Sequence, residues 1–229
     1  MLATPVSSLT TSDLPYRVRR SDRARRVRVS VDAQLGVEVV LPRRSPESAA
    51  AAAVVELRPW IERRLAEGRQ VRAALAARGA TVPYLGTALA LRPEPGRKRA
   101  HRRDDVLLVP AGEDDARSAL ERWYRRAARA EITPRLDAAA AALGVGYSSL
   151  TIRNQRTRWG SCSAAGAMSF NWRLLLAQAP VLDYVVWHEA CHLLVMDHSP
   201  SFWSLVREHC PDCDDHRRWL RSLGSTLVL

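Results

Sequence analysis

Val181-Leu182-Asp183-Tyr184-Val185-Val186-Trp187-His188-Glu189-Ala190-Cys191-His192-Leu193-Leu194-Val195 is the stretch that decides how this chain is read. It has helical length, no internal glycine or proline, and apolar residues nearly all round, so it reads as a buried α-helix. Two histidines four residues apart on a helix lie about 40° apart around its axis and ~6 Å apart along it. His188 and His192 therefore grip one metal ion from a single face. Glu189 stands beside that face, placed to receive a proton from water without being a ligand. Two histidines and a glutamate buried without a partner would be costly. Zinc suits such a pair, because it takes imidazole nitrogen and imposes no geometry of its own. A zinc site that does chemistry needs a third protein ligand and an open position, and His198 is the best-placed candidate. It sits where Ser199-Pro200 turns the chain out of one helix and into the next. His209 lies about three turns along that next helix, ~15 Å away. His216 lies beyond a proline break, and Asp197 points to the other side of the corner. Asp183 and Asp197 read either as helix-end residues or as partners for the second nitrogen of a ligand histidine.

Working upstream, Met168 to Leu176 reads as a return strand, Gly160 to Gly166 as a turn, and Leu150 to Trp159 as a strand. An amphipathic helix precedes them from Asp114 to about Leu143, with Ala119, Trp123, Ala127, Ala130 and Ile132 inward and Pro134 as a kink. Downstream, one helix runs from Ser199-Pro200 to Cys210-Pro211, and Asp214 caps a last one that ends near Gly224. In the first half, Arg25 to Val31 alternates basic and apolar residues and pairs as a hairpin with Val37 to Leu41. Ser45-Pro46-Glu47 opens an alanine-rich helix, Pro59 interrupts it, and Gly79 closes a second helix over Trp60 to Arg78. Short strands near Thr87–Leu91 and Val106–Val109 flank an arginine-rich segment, Arg97 to Arg103, read as an exposed hairpin tip. No internal repeat is visible. The fold class is α+β in three parts: a loose arm over 1–15, a basic α+β region over 16–111, and the domain bearing the histidine motif over 112–229.

Of the 229 residues, 47% are hydrophobic and 26% charged, which excludes a wholly disordered chain and a coiled coil. No apolar run approaches the ~18 residues of a membrane span, so no membrane partner is expected. Met1 to Tyr16 lacks the basic-then-apolar layout of a signal peptide, which makes the cytoplasm the expected compartment. Four cysteines are too few for a disulfide scaffold. Cys210-Pro211-Asp212-Cys213 has zinc-knuckle spacing with His209 and His216 nearby, but no second pair follows, and a reduced structural pair is the simpler reading. Cys191 packs as a small hydrophobe. The net charge of +11 is uneven: residues 1–100 carry 19 basic against 9 acidic side chains, and the remainder 16 against 15. Such a basic half is either a solvated surface or a footprint for nucleic acid. No aromatic residue interleaves the arginines between Arg17 and Arg28.

Four segments carry a resemblance. They are Arg158-Trp159-Gly160-Ser161-Cys162-Ser163, Asn171-Trp172-Arg173-Leu174, Tyr184 to His192, and His198-Ser199 with Phe202-Trp203. Together they resemble the YgjP-like metal-dependent hydrolases, relatives of the SprT-like metallopeptidases. The resemblance is specific over 150–220 and looser upstream, through Tyr84-Leu85-Gly86 and Trp123-Tyr124. It implies a zincin domain made of a helix, a small antiparallel sheet, the metal helix and closing helices. It implies one zinc ion on His188, His192 and His198, Glu189 as general base, and a peptide or protein substrate. Arg158, Trp159 and Asn171 of these motifs, with Arg156 just upstream, are the candidate substrate contacts. Trp187, Ala190 and Asp197 depart from the family's usual residues, which bears on substrate fit and removes no ligand. The His192–His198 spacing also matches the metzincins, but Val195 replaces their glycine and no methionine follows Met196 for their turn.

The leading expectation is a metallopeptidase in which a peptide pairs with the return strand Met168 to Leu176. One alternative is phosphoanhydride hydrolysis of a nucleotide, with Arg153, Arg156 or Arg158 clamping phosphate. Another is a protease held on DNA or RNA by its basic N-terminal half, since SprT-like relatives act on DNA-bound proteins. Oligomeric state is not legible.

Overall fold

A computed structural model describes residues 7–11, 14–32, 36–155 and 157–229. The chain divides into two compact units, Met1–Ala74 and Leu75–Leu229. In the first unit, β1 (Ser7–Thr11), β2 (Leu14–Ser21), β3 (Arg28–Asp32) and β4 (Gly36–Pro42) form one sheet in the order β1-β2-β4-β3. Alternation drives it: Leu14, Tyr16 and Val18 of β2 and Val37, Val39 and Leu41 of β4 point inward, and Ala50, Val54 and Ile61 cover them. The last three come from α1 (Ser48–Glu56) and α2 (Arg58–Arg78). The hairpin read from the valines is β3–β4, with Val29 opposite Val39. Residues 7–11, read as part of a loose arm, instead form an edge strand with Ser7 opposite Val18. Residues 1–6 and 12–13 of that arm, and the Ala33-Gln34-Leu35 turn, lie outside the described residues.

The second unit begins with a sheet of the same plan. β5 (Thr81–Tyr84), β6 (Thr87–Glu94), β7 (His101–Arg103) and β8 (Val106–Pro110) are ordered β5-β6-β8-β7. In both sheets the inner pair is parallel and the two outer pairs antiparallel. In both, the last-formed strand ends in proline, Pro42 or Pro110, and leads to a helix. The sequence shows no internal repeat, yet the topology repeats, because pairing is set by apolar alternation and many residues satisfy it. The parallel pairing also corrects the reading of Arg97 to Arg103. That segment is a crossover containing β7, not the tip of a hairpin. Leu85 and Gly86 both have positive φ, +50° and +93°, as a two-residue type I′ turn requires. The Leu85 amide donates to the Leu175 carbonyl at 2.8 Å, which ties this turn to the second unit's core.

α3 (Glu113–Ala142) is the spine of that core and continues unbroken past Pro134. Its buried stripe includes Tyr124, Ile132 and Leu136, with Glu113, Asp114 and Asp115 favourably placed at its positive end. Val82, Leu89 and Leu107 of the second sheet share one core with Tyr124, Trp172 and Leu182. Residues 75–111 therefore pack with α3, and the division falls at 74/75 instead of 111/112. A third sheet follows, β9 (Ser149–Arg153), β10 (Gly160–Cys162) and β11 (Ala167–Asn171), ordered β10-β11-β9. It is mixed, not purely antiparallel, since β9 and β11 run parallel. Gly160 to Cys162, read as turn, is an edge strand, and the return strand stops at Asn171, where a 3-10 helix over Trp172–Leu176 takes over. α4 (Ala179–Cys191), α5 (Pro200–His209) and α6 (Cys213–Leu223) close the unit. Among the described residues no helix is long and apolar enough to cross a membrane.

Candidate metal centre

α4 carries both histidines of the motif. It begins with Pro180 in its first turn, buries Val181, Leu182, Val185 and Val186, and presents His188 and His192 one turn apart at its C-terminal end. The helix ends at Cys191, four residues earlier than the apolar run suggests. There the Leu193 amide donates to the Ala190 carbonyl and the Leu194 amide to the Cys191 carbonyl, tightening the exit. His198 returns from the α4–α5 connection. Ser199 and Pro200 start α5, and the Asp197 carboxylate accepts the Ser199 amide at 3.2 Å, which fixes the corner.

The three imidazoles converge. Their ligand atoms all lie within 4.8 Å of one another, the one such grouping of His, Cys, Asp or Glu among the described residues. Nε2 of His188 and Nε2 of His198 stand 3.2 Å apart. Two imidazole nitrogens on a tetrahedral zinc ion stand roughly 3.3 Å apart, so the spacing fits a shared ion. The His192 Nδ1 lies 3.0 Å from the Val195 carbonyl, and a proton donated there leaves Nε2 free as a ligand. The buried Nδ1 of His188 has no partner among the described residues. Fully buried Phe202 is the floor, its ring stacked on His192 at 4.3 Å and edge-on to His188 at 5.0 Å. Burial first, then the neighbouring histidines, pushes the His188 imidazole down to about 3, and burial lowers His192 too. Both rings are thus held neutral, the form that ligates a metal.

Glu189 faces the same space from the next position on α4. Its carboxyl is buried, which pushes its pKa up to about 8 against the opposing effects of a Cys162 backbone hydrogen bond and the Arg158 charge. Gly160 of β10 lies directly against it. His188 and Glu189 border a cavity of about 420 Å³, lined also by Arg158, Trp159, Gly160, Tyr184, Arg217 and Arg221. A family model of the YgjP-like metallopeptidase domain matches residues 25–223. The chain belongs to the YgjP-like family. No curated protein and no solved structure matches it.

The YgjP-like centre assembles some of the residues its sequence suggests and not others. His188, His192 and His198 meet, with Glu189 beside His188. Arg158 and Trp159 line the cavity. Asn171 does not; it is buried, and its side chain serves the backbone. Its Nδ2 donates to the Gln155 carbonyl at 2.7 Å and the Arg158 carbonyl at 3.3 Å, and its Oδ1 accepts the Arg173 amide at 3.1 Å. It holds the loop that presents Arg158. Arg156 lies outside the described residues. Asp183 accepts from Arg135 at 2.8 Å, and Asp197 from Ser199, so the carbonyl of Val195 orients His192 where a carboxylate was expected.

The remaining histidines of α5 and α6 have other neighbours. His209 stacks on Trp187 at 4.4 Å and His216 faces the Tyr184 ring at 6.2 Å. Cys191 is fully buried, its thiol pushed up to about 11 by burial. Arg217 and Arg221 are the cavity residues that sequence reading missed. Their spacing of four put them on one face of a helix, but nothing local said that this face meets the motif.

Proposed function

We propose that this YgjP-like domain is a zinc-dependent peptidase, with one zinc ion on His188, His192 and His198 and Glu189 as general base. The observation that carries it is the pairing of a 3.2 Å Nε2–Nε2 approach with a buried carboxyl opening on the same cavity. A bound zinc ion there supplies Lewis acidity and makes water nucleophilic near neutrality. The Glu189 carboxylate takes the proton from the attacking water and delivers it to the departing amine nitrogen. Burial raises that carboxyl above the ordinary carboxylate range, the direction that favours a group which both accepts and releases a proton. The ligand nitrogens of His188, His192 and His198 converge, and Phe202 packs beneath the rings of His188 and His192.

The substrate strand needs a free edge. β11 is flanked on both sides, so the expected pairing with the return strand does not apply. β10 is the edge beside Glu189, and an extended peptide adding to it passes directly before the carboxyl. The test is zinc content and peptide turnover of the wild type and of Glu189→Gln. Full activity in the glutamine variant would remove Glu189 from its role.

A second reading has its own observation. In the first unit, Arg19, Arg23, Arg25, Arg26 and Arg28 surround one concavity of about 440 Å³, a footprint suited to phosphate. It makes the enzyme a protease held on nucleic acid. Substituting Arg23, Arg25 and Arg26 by glutamate would then abolish salt-sensitive DNA binding; DNA binding that survives unchanged rejects this reading. Nucleotide hydrolysis keeps only Arg158 of its three sequence-derived phosphate clamps at the cavity, with Arg153 not among its lining and Arg156 outside the described residues. Product analysis on nucleoside triphosphates beside peptides separates it from peptidase activity.

A further inference from the structure

The cavity beside the histidines is built from an unusual set of charges. Arg158 enters from the β9–β10 loop, and Arg217 and Arg221 from α6. Glu189 is the single carboxyl among the lining residues. Nearby arginines of α3, α5 and α6 include several in ion pairs: Arg207 with Asp214, Arg218 with Asp215, and Arg135 with Glu131 and Asp183. Arg158, Arg217 and Arg221 stand in no ion pair with a carboxylate among the described residues, and Arg158 acts on Glu189 through its charge alone. Arg217 and Arg221 stand one turn apart, and like charges at that spacing oppose each other on a helix. Arg221, in the last turn, also suits the negative end of α6, but Arg217 is a turn further in and gains little from it.

Arg217 is also held in place. Its guanidinium lies 4.5 Å over the Trp203 ring, and that ring lies 5.6 Å from His188 and 5.7 Å from His198. The stacked indole sets a fixed cation at the border of the centre. Trp159, Tyr184 and Leu220 supply apolar wall between the cations. A pocket of this volume accepts one or two side chains of a peptide. Planar guanidinium groups take a carboxylate in two parallel hydrogen bonds.

From this we infer that the cavity is a specificity pocket for a peptide carboxylate next to the scissile bond, with Arg217 and Arg221 as its recognition residues and Arg158 as a third cation in its lining. The inference rests on the peptidase reading for the word "scissile", but the recognition itself is independent of turnover. The carboxylate has two sources, an Asp or Glu side chain or the peptide's C-terminus.

The experiment is a binding titration on zinc-loaded Glu189→Gln protein with labelled peptides. One set is neutral, one acidic and one basic, each with a free and with an amidated C-terminus. Acidic peptides should bind about tenfold more tightly than neutral ones. Arg217→Ala and Arg221→Ala should each remove most of that preference, Arg221→Lys should keep part of it, and circular dichroism should show each variant folded. Preference that follows the free C-terminus and ignores acidic side chains assigns the pocket to a terminal carboxylate. Equal binding of all three sets overturns the inference, as does an acidic preference unchanged in both alanine variants. A nucleoside triphosphate that binds while no peptide set does so overturns it in favour of phosphate. Wild-type turnover of the same peptides tests the hydrolase separately. Charge-blind cleavage supports the hydrolase and sinks the pocket, whereas acid-selective binding without cleavage does the reverse.

Discussion

Gly160 and Glu189 are packed so closely that a Cβ on the glycine would stand 2.6 Å from both Cγ and Oε1 of the glutamate. The glycine's backbone is ordinary strand, so space, not conformation, demands it. The neighbouring carboxyl is buried and held by the Cys162 backbone, which leaves it little room to retreat. Gly160→Ala should therefore displace the base while leaving the histidines in place. Misplacement by about 1 Å costs on the order of a hundredfold in rate. We expect kcat to fall by that order with zinc affinity unchanged; an unchanged kcat would show that Glu189 has another working position.

The raised pKa of Glu189 has a sign that can be measured on metal-free protein. The folded carboxyl titrates at about 8, above its ordinary 4.5, so the folded state binds the extra proton. Stability of the EDTA-treated protein is then full below the unfolded value and falls as pH rises toward 8. Glu189→Gln removes the burden. The variant should match wild type near pH 4.5 and exceed it by a few kcal/mol, about 1.4 per pH unit crossed, by pH 8.5. Thermal unfolding across that range decides it, and parallel curves for the two proteins would contradict the shift.

Asn171 offers a test of loop positioning. Its amide makes two donations and one acceptance, all to backbone, and joins the 155–158 loop to the start of the 3-10 helix. Asn171→Ala should cost roughly 1–3 kcal/mol by leaving buried carbonyls unanswered. Asn171→Asp should cost more, because a carboxylate there faces the carbonyls of Gln155 and Arg158. If Asn171 contacts substrate instead, the aspartate variant will alter KM without lowering the unfolding temperature.

What sequence reading recovered and what escaped it divide along one physical line. His188, Glu189 and His192 sit within five residues on one helix, so periodicity alone placed them. His198 followed from the Ser199-Pro200 helix start. The β3–β4 hairpin followed from valine alternation. Arg217 and Arg221 were silent because only the packing of α6 brings them to α4, and no local pattern reports that contact. The backbone role of Asn171 was silent for a related reason. Asn171 ends β11, where its side chain is taken up by the backbone of the loop before β10, a contact that no local pattern reports. Parallel pairing of β6 with β8 and of β9 with β11 escaped because strand direction is a property of the connection, not of the strand's composition.

The third ligand is where the geometry makes its sharpest commitment. His198 is exposed and contributes little packing, yet its Nε2 lies 3.2 Å from that of His188. Its removal should spare the fold and cripple the centre. Each imidazole of a zinc site contributes directly to affinity, so His198→Ala should weaken zinc binding by at least about tenfold. His209 stacks on Trp187 and His216 faces Tyr184, both on the side chains of α4 but away from the trio. His209→Ala should lower stability modestly through the lost stacking, by about 0.5–1.5 kcal/mol, and leave zinc affinity alone. His216→Ala should do neither to any large degree. Competition with a chromogenic chelator measures all three on the same scale. Wild-type affinity in His198→Ala, with loss in His209→Ala or His216→Ala, would mean that the metal sits on the α5–α6 side of α4 and that the corner at Ser199-Pro200 serves packing alone.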